Sequence, residues 1–223
     1  SRDFNDLTFP IFRIPYFTEN DKHVTKIPIV EHIGGLWGVI SSAFPLEGPM
    51  IPLLKRALHK VYEDYGWPLT GKDANVFQDL GLPRFPSIES LCSILTKLID
   101  QLGYIGEIRS NIEAALVNRL QDLHVGVRKS IFSESEVSTS IFDLIGESSS
   151  SRHNHIVISL DNIDSEEDKS LALGLFLLRL REQVRIDGIR HNHLRRLIII
   201  EEAHRLIPNI KSDATINPSL GQQ

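Results

Sequence analysis

"LIIIEEAHRLI", residues 197–207, runs four aliphatic residues straight into two adjacent carboxylates, Glu201 and Glu202. A short continuous apolar run of this kind reads as a buried strand, and acids at the end of a buried strand are costly unless a cation or a reaction uses them. "GIRHNHLRR" before it reads as a loop. The segment from about Ser165 to Ile186 reads as a helix, with Asp164 and Glu167 in the positions of an N-cap signature. "HIVISL", residues 155–160, reads as a second buried strand. Strand, helix and strand with a crossover of this length predict a βαβ unit whose strands lie parallel.

The rest of the chain divides by pattern into further segments. "LTFPIFRIPYF" places Pro10 and Pro15 around an apolar run, which suits an edge strand or extended entry segment, so residues 1–30 are assigned to it. Residues 31–146 read as a helical insertion. Leu54, Leu58, Val61, Tyr62 and Tyr65 make one stripe; Leu91, Ile94, Leu95 and Leu98 make a second; Ile108, Ile112, Ala115, Leu116 and Leu120 make a third. Pro86 and Glu89 favour a helix start near Ser87, whereas Ser87 followed by Ser90 is a weak capping box. The serine-rich "GESSSSRHN" at 146–154 marks a junction, residues 147–207 hold the βαβ unit, and 208–223 read as a mobile tail. The expected fold class is α/β, a parallel sheet carrying a helical insertion.

In an open parallel sheet, ligands sit beyond the carboxyl ends of the strands, where Glu201 and Glu202 fall. A hydrophobic strand closing in two acids is the Walker B arrangement of nucleoside triphosphatases. The first acid orients Mg²⁺ and the second polarises the attacking water, while the metal supplies the compensating charge. The other reading is a strand that ends at the surface, its solvated acids starting a helix and favoured there by the dipole. The residues alone leave both readings open.

The wider context bears on that choice. "LRRLIIIEEAHRLI" resembles the Walker B segment of the HerA family of hexameric DNA-translocating ATPases, relatives of FtsK and of the conjugative secretion ATPases. "IVISLDNIDSEEDKSLALGLFLLRLREQVR" is similar to that family's preceding strand and helix, and "LLKRALHKVYEDYGW" and "FPSIESL" to its helical segment between Walker A and Walker B. The resemblance covers residues 9 to 207 and implies a partial RecA-like sheet, hydrolysis of Mg-ATP between subunits of a hexamer, double-stranded DNA as the track and a nuclease or other effector as partner. By the same resemblance Glu201 holds Mg²⁺, Glu202 is the catalytic base and His204 faces the site as a relay or sensor. A secretion or conjugation ATPase and a non-catalytic, ATPase-shaped assembly module are the alternatives.

"GWPLTGKD", residues 66–73, comes within one residue of a phosphate loop. Such a loop needs a strand feeding it and a helix leaving it. Here the preceding residues are helical in period, Gly81, Pro83 and Pro86 follow closely, and Asp73 stands where a hydroxyl should bind Mg²⁺. The match reads as coincidence. The chain is accordingly expected to be an internal piece of a larger ATPase, inactive by itself.

Composition narrows the field further. A net charge of -5 gives no whole-molecule case for nucleic-acid binding, so any such surface must be local. One cysteine, Cys92, excludes an intrachain disulfide and a cysteine-rich metal site. No run is long enough to span a bilayer and no signal peptide stands at the start, so a soluble, cytoplasmic protein is expected. Arg179, Arg181 and Arg185 read as a solvated helix face partly neutralised by Glu182 and Asp187, while Arg190, Arg195 and Arg196 suit subunit or DNA contacts. "RHNH" occurs twice, bringing His153, His155, His191 and His193 before the two strands, but no cysteine or placed acid completes a metal set. Arg119 and Arg128 read as surface residues, and Trp37 and Trp67 as packing residues.

Overall fold

The computed structural model describes residues 7–19, 22–25, 27–44, 46–69, 75–77, 84–132, 139–140, 157–161, 163–187 and 197–201. The chain divides into two units, residues 1–190 and 191–223. In the first, helices dominate. Helix α1 (Ile29–Ala43) turns Ile29, His32, Ile33, Leu36, Ile40 and Ala43 inward, and α2 (Met50–Asp64) turns Leu53, Leu54, Ala57, Leu58, Val61 and Tyr62 inward. Both sets recur at three- and four-residue spacing, the geometry of a single buried stripe. Tyr65, expected on that stripe, sits at the C-cap of α2 and is exposed.

Helix α3 (Ile88–Gln101) buries the four residues its period predicts, together with Ile88, Cys92 and Ile99. Its start is better defined than the sequence suggests. The Ser87 side chain accepts from the Ser90 amide and the Ser90 hydroxyl accepts from the Ser87 amide, so the Ser87–Ser90 pair forms a closed capping box. Ser87→Ala should therefore lower stability by about 1 kcal/mol. A urea titration would show it as a lower midpoint with unchanged slope, and an unchanged midpoint would count against the cap.

The third stripe forms α4 (Gly106–Ile112), a π-helical turn (Glu113–Asn118) and α5 (Arg119–Asp122). Ile112, Leu116 and Leu120 point inward, whereas Ile108 is exposed. A strict four-residue spacing drifts by about 40° per step on an α-helix, and the wider π turn takes the drift back. Helix α6 (Gly126–Phe132) follows, and α7 (Glu166–Asp187) spans the length expected of it. Its first turn is capped by Ser165, whose hydroxyl accepts from the Asp168 amide, and not by Asp164. The helices pack in sequence of contact: α7 on α1, α1 on α2, α2 on α3, and α3 on the π turn and α5.

The expected α/β, partly RecA-like parallel sheet is not what these residues build. Among the described residues, the only parallel pairing is two residues long, β1 (Leu7–Thr8) with β5 (Thr139–Ser140). The other ladder is antiparallel: β2 (Phe17–Glu19), β3 (Lys22–Thr25) and β4 (Asn75–Phe77) in that order. Residues 157–160 offer one isolated bridge at Ile158, and Leu197–Ile200 join no ladder. Leu197 is 73% and Ile199 79% exposed, so the run is not a buried strand. A short aliphatic run specifies extended backbone only when neighbouring strands take up its hydrogen bonds, and its period cannot announce whether they exist. Meanwhile α7 spends its apolar residues Leu171, Ala172, Leu175 and Leu178 in the helical core that α1 shares.

Candidate functional site

Residues 197–200, which precede the acid pair, are exposed and form no strand. Glu201 lies in a turn directly after Ile200 and is itself exposed. Glu202, His204, Arg190, Arg195 and Arg196 lie outside the described residues, as do His153, His155, His191, His193 and the tail 208–223. Gly66 to Leu69 of the phosphate-loop look-alike are described, and the helix α2, not a strand, leads into them. Gly66 carries φ of 83° in the turn that ends α2, a left-handed geometry glycine adopts without strain. Trp67 beside it is buried, donating its indole N–H to the Arg84 carbonyl at 2.9 Å and stacking at a tilt on Phe85, so it is a packing residue. Thr70 to Asp73 fall outside the described residues.

The densest chemistry sits elsewhere, in a cluster inside the first unit. His32 of α1, Tyr62 of α2, and Arg179 and Glu182 of α7 are all buried. His32 Nδ1 lies 2.7 Å from Glu182 Oε1, and its Nε2 lies 2.7 Å from the Tyr62 hydroxyl. Arg179 donates from Nη1 to Glu182 Oε2 at 2.8 Å and from Nη2 to the carbonyls of Ile11 at 2.6 Å and Pro10 at 3.2 Å. The Tyr62 hydroxyl reaches the Phe12 carbonyl at 2.6 Å. Helices α2 and α7 thus hold the backbone of the entry segment, whose Phe9, Ile11, Phe12 and Ile14 side chains fill the core.

Burial pushes the Glu182 carboxyl up, but the His32 and Arg179 partners outweigh it and hold the group down at about 2. Burial also lowers the His32 imidazole below its ordinary range, against the pull of Glu182. The neutral-pH state is therefore one cation, one anion and an uncharged imidazole, a balanced set for a site without water. Glu182 requires the proton of that imidazole on Nδ1. With the carboxylate, imidazole and phenol in one chain the arrangement is able to relay a proton, yet its members are closed from solvent and substrate.

Two expectations change here. Arg179 is not on a solvated face: it is 1% exposed and paired inward, whereas Arg181 and Arg185 are exposed, the latter paired with Glu31. Arg119 is half-buried near Glu167, and Arg128 binds the buried Asp168 at 2.6 Å, fastening α6 to the start of α7. His32 is the member the sequence reading passes over. The available signal is the Arg179–Glu182 pair three residues apart within an apolar run, the spacing of a same-face ion pair.

The remaining features are modest. Cys92 is buried, and its thiol is pushed up to about 12 by that burial, which keeps it protonated and unreactive. A groove of about 340 Å³ beside it is lined by Glu89, Thr96, Gln121, His124 and Val125, with His124 Nε2 paired to Glu89 at 2.5 Å. Among the described residues no group of three or more His, Cys, Asp or Glu side chains is arranged to hold a metal, and no helix is long and apolar enough to cross a membrane. Compared with protein-family models, curated proteins and solved structures, the chain matches none.

Proposed function

We propose that the chain contributes the acid pair Glu201–Glu202 to a Mg-ATP-hydrolysing, DNA-translocating assembly of the HerA kind. The observation carrying this reading is the run 197–204 itself, four aliphatics entering Glu-Glu-Ala-His. The helical body lends it no support, so the proposal rests on that run and not on the fold. In this reading Glu201 orients Mg²⁺, Glu202 polarises the attacking water and His204 relays or senses at the same site, with ATP and Mg²⁺ as the cofactors. The assembly is a homo-oligomer, a hexamer, that moves on double-stranded DNA and serves a nuclease or other effector. Arg190, Arg195 and Arg196 make its subunit or DNA contacts.

Glu202→Gln keeps the shape of the side chain and removes the charge that polarises water. In the intact protein it should abolish DNA-stimulated ATP turnover, a loss of at least about a hundredfold, while nucleotide binding persists. Unchanged turnover in Glu202→Gln would sink the motor reading. It would favour the second one, a non-catalytic assembly module, for which the specific observation is a helical body whose densest polar cluster is spent on holding the chain's own backbone.

A further inference from the structure

The buried cluster has one carboxylate for two basic groups. Glu182 accepts from His32 through Oε1 and from Arg179 through Oε2, and Arg179 Nη1 also comes within 3.3 Å of His32 Nδ1. Of the four members, two hold the entry segment directly: Arg179 on the Pro10 and Ile11 carbonyls, Tyr62 on the Phe12 carbonyl. The groups facing His32 are Glu182 and Arg179 from α7, the Tyr62 hydroxyl from α2 and the Phe12 carbonyl of the entry segment, which acts on the imidazole both directly and through that hydroxyl. We propose that His32 is an acid-operated latch: its protonation releases residues 9–16 from α2 and α7 while the rest of the helical body stays folded.

The balance of effects fixes the sign. The Tyr62 hydroxyl carries one proton and faces two acceptors, Phe12 O and the bare Nε2 of neutral His32. Protonating Nε2 would commit that proton to Phe12, and the Phe12 carbonyl also draws the imidazolium directly, gains of hydrogen-bond size. Against them, a second cation arises within 3.3 Å of Arg179 in a site closed to water, with a single carboxylate to serve both. Burial of the new charge outweighs these gains. Lifting the entry segment readmits water to the imidazolium and relieves the repulsion. Since the folded imidazole titrates below its ordinary value of about 6.5, the grip is complete above that value and is lost as pH falls through the lowered one. Glu182, held at about 2, stays ionised across that window. The α3 core supplies an internal reference, because the buried face of that helix has no ionisable group other than the protonated Cys92.

The test is amide hydrogen exchange from pH 7.5 down to pH 4.5, corrected for intrinsic rates, alongside an NMR titration of the His32 ring nitrogens. Opening at Ile11 to Ile14 should begin to rise below about pH 6.5, by up to about tenfold per pH unit, the slope for uptake of one proton, and level off where the His32 ring titrates. The Leu91–Ile99 amides should hold their protection, and His32→Gln should flatten the response at Ile11 to Ile14. Opening that ignores pH in the wild type overturns the latch, as does an unchanged slope in His32→Gln. Should that variant fail to fold, the wild-type comparison decides alone: a rise at Ile11 to Ile14 that continues below the pH at which the ring titrates rejects the proposal.

Discussion

Glu182→Leu is expected to lose about 3–5 kcal/mol of stability, enough to unfold much of the population at 37 °C. The reason is what it leaves behind. Arg179 would remain 1% exposed with a charge and no carboxylate, and His32 Nδ1–H would face a methyl group. The backbone of the entry segment depends on the same guanidinium, so the loss should spread to Pro10 and Ile11. Removing both charges at once tests the cause. Arg179→Met with Glu182→Leu deletes the anion and the cation together and should recover a large part of the single-variant loss, since a buried ion pair is worth little against a well-packed apolar pair. Urea midpoints of the two single variants and the double variant measure this directly. A Glu182→Leu cost below about 1 kcal/mol would mean that water reaches the cluster and that its burial is not what sets its energetics.

How far the sequence foretold this arrangement depends on the element. Helices α2 and α3 are legible because each has apolar residues at three- and four-residue spacing, and α7 because an acid-rich start leads into a largely apolar first half; the residues chosen by spacing, Leu54, Leu58, Leu91, Leu95 and Leu98 among them, are buried. Helix α1 is harder to see. Its Gly34, Gly35 and Gly38 are poor helix formers, and one inward position is taken by His32, a polar residue whose partners stand 30 and 150 positions away. No local pattern reports such a contact. The same blindness explains Arg179: a period marks a face as inward, but whether an arginine on its border is solvated or paired is a tertiary fact.

The sheet fails for a related reason. Leu197 to Ile200 have the composition of a buried parallel strand, and that composition is read from what usually surrounds such strands. The surroundings are the part a short run does not encode. What remains legible at the candidate site is chemical and not architectural: two acids after four aliphatics, followed by Ala203 and His204. That is why the enzymatic proposal is best tested at Glu202 itself, and why the helical body is best tested by its own packing.

That packing makes its sharpest demand at Gly174, where α7 crosses α1. A Cβ at this position would lie 2.8 Å from Val39 Cγ1, and one at Gly35 on the facing helix would lie 2.5 Å from Leu178 Cδ1. Glycine inside a helix costs about 1 kcal/mol relative to alanine, so any side chain at 174 starts with an advantage in helix propensity. Gly174→Leu is nevertheless expected to destabilise by about 2–3 kcal/mol, because three Val39 side-chain atoms lie within 3.5 Å of the added Cβ and a β-branched residue holds one favoured rotamer in a helix. Gly35→Ala should cost less, since the atoms it meets are the ends of the Leu178 and Arg181 side chains, which move more freely. The decisive comparison is a double-mutant cycle with Val39→Ala. If the contact is steric, the pair Gly174→Ala and Val39→Ala should be more stable than the sum of the single variants predicts, by about 1 kcal/mol or more. Additive costs in that cycle would show that the helices separate without resistance, and the close crossing of α1 and α7 would no longer account for glycine at 174.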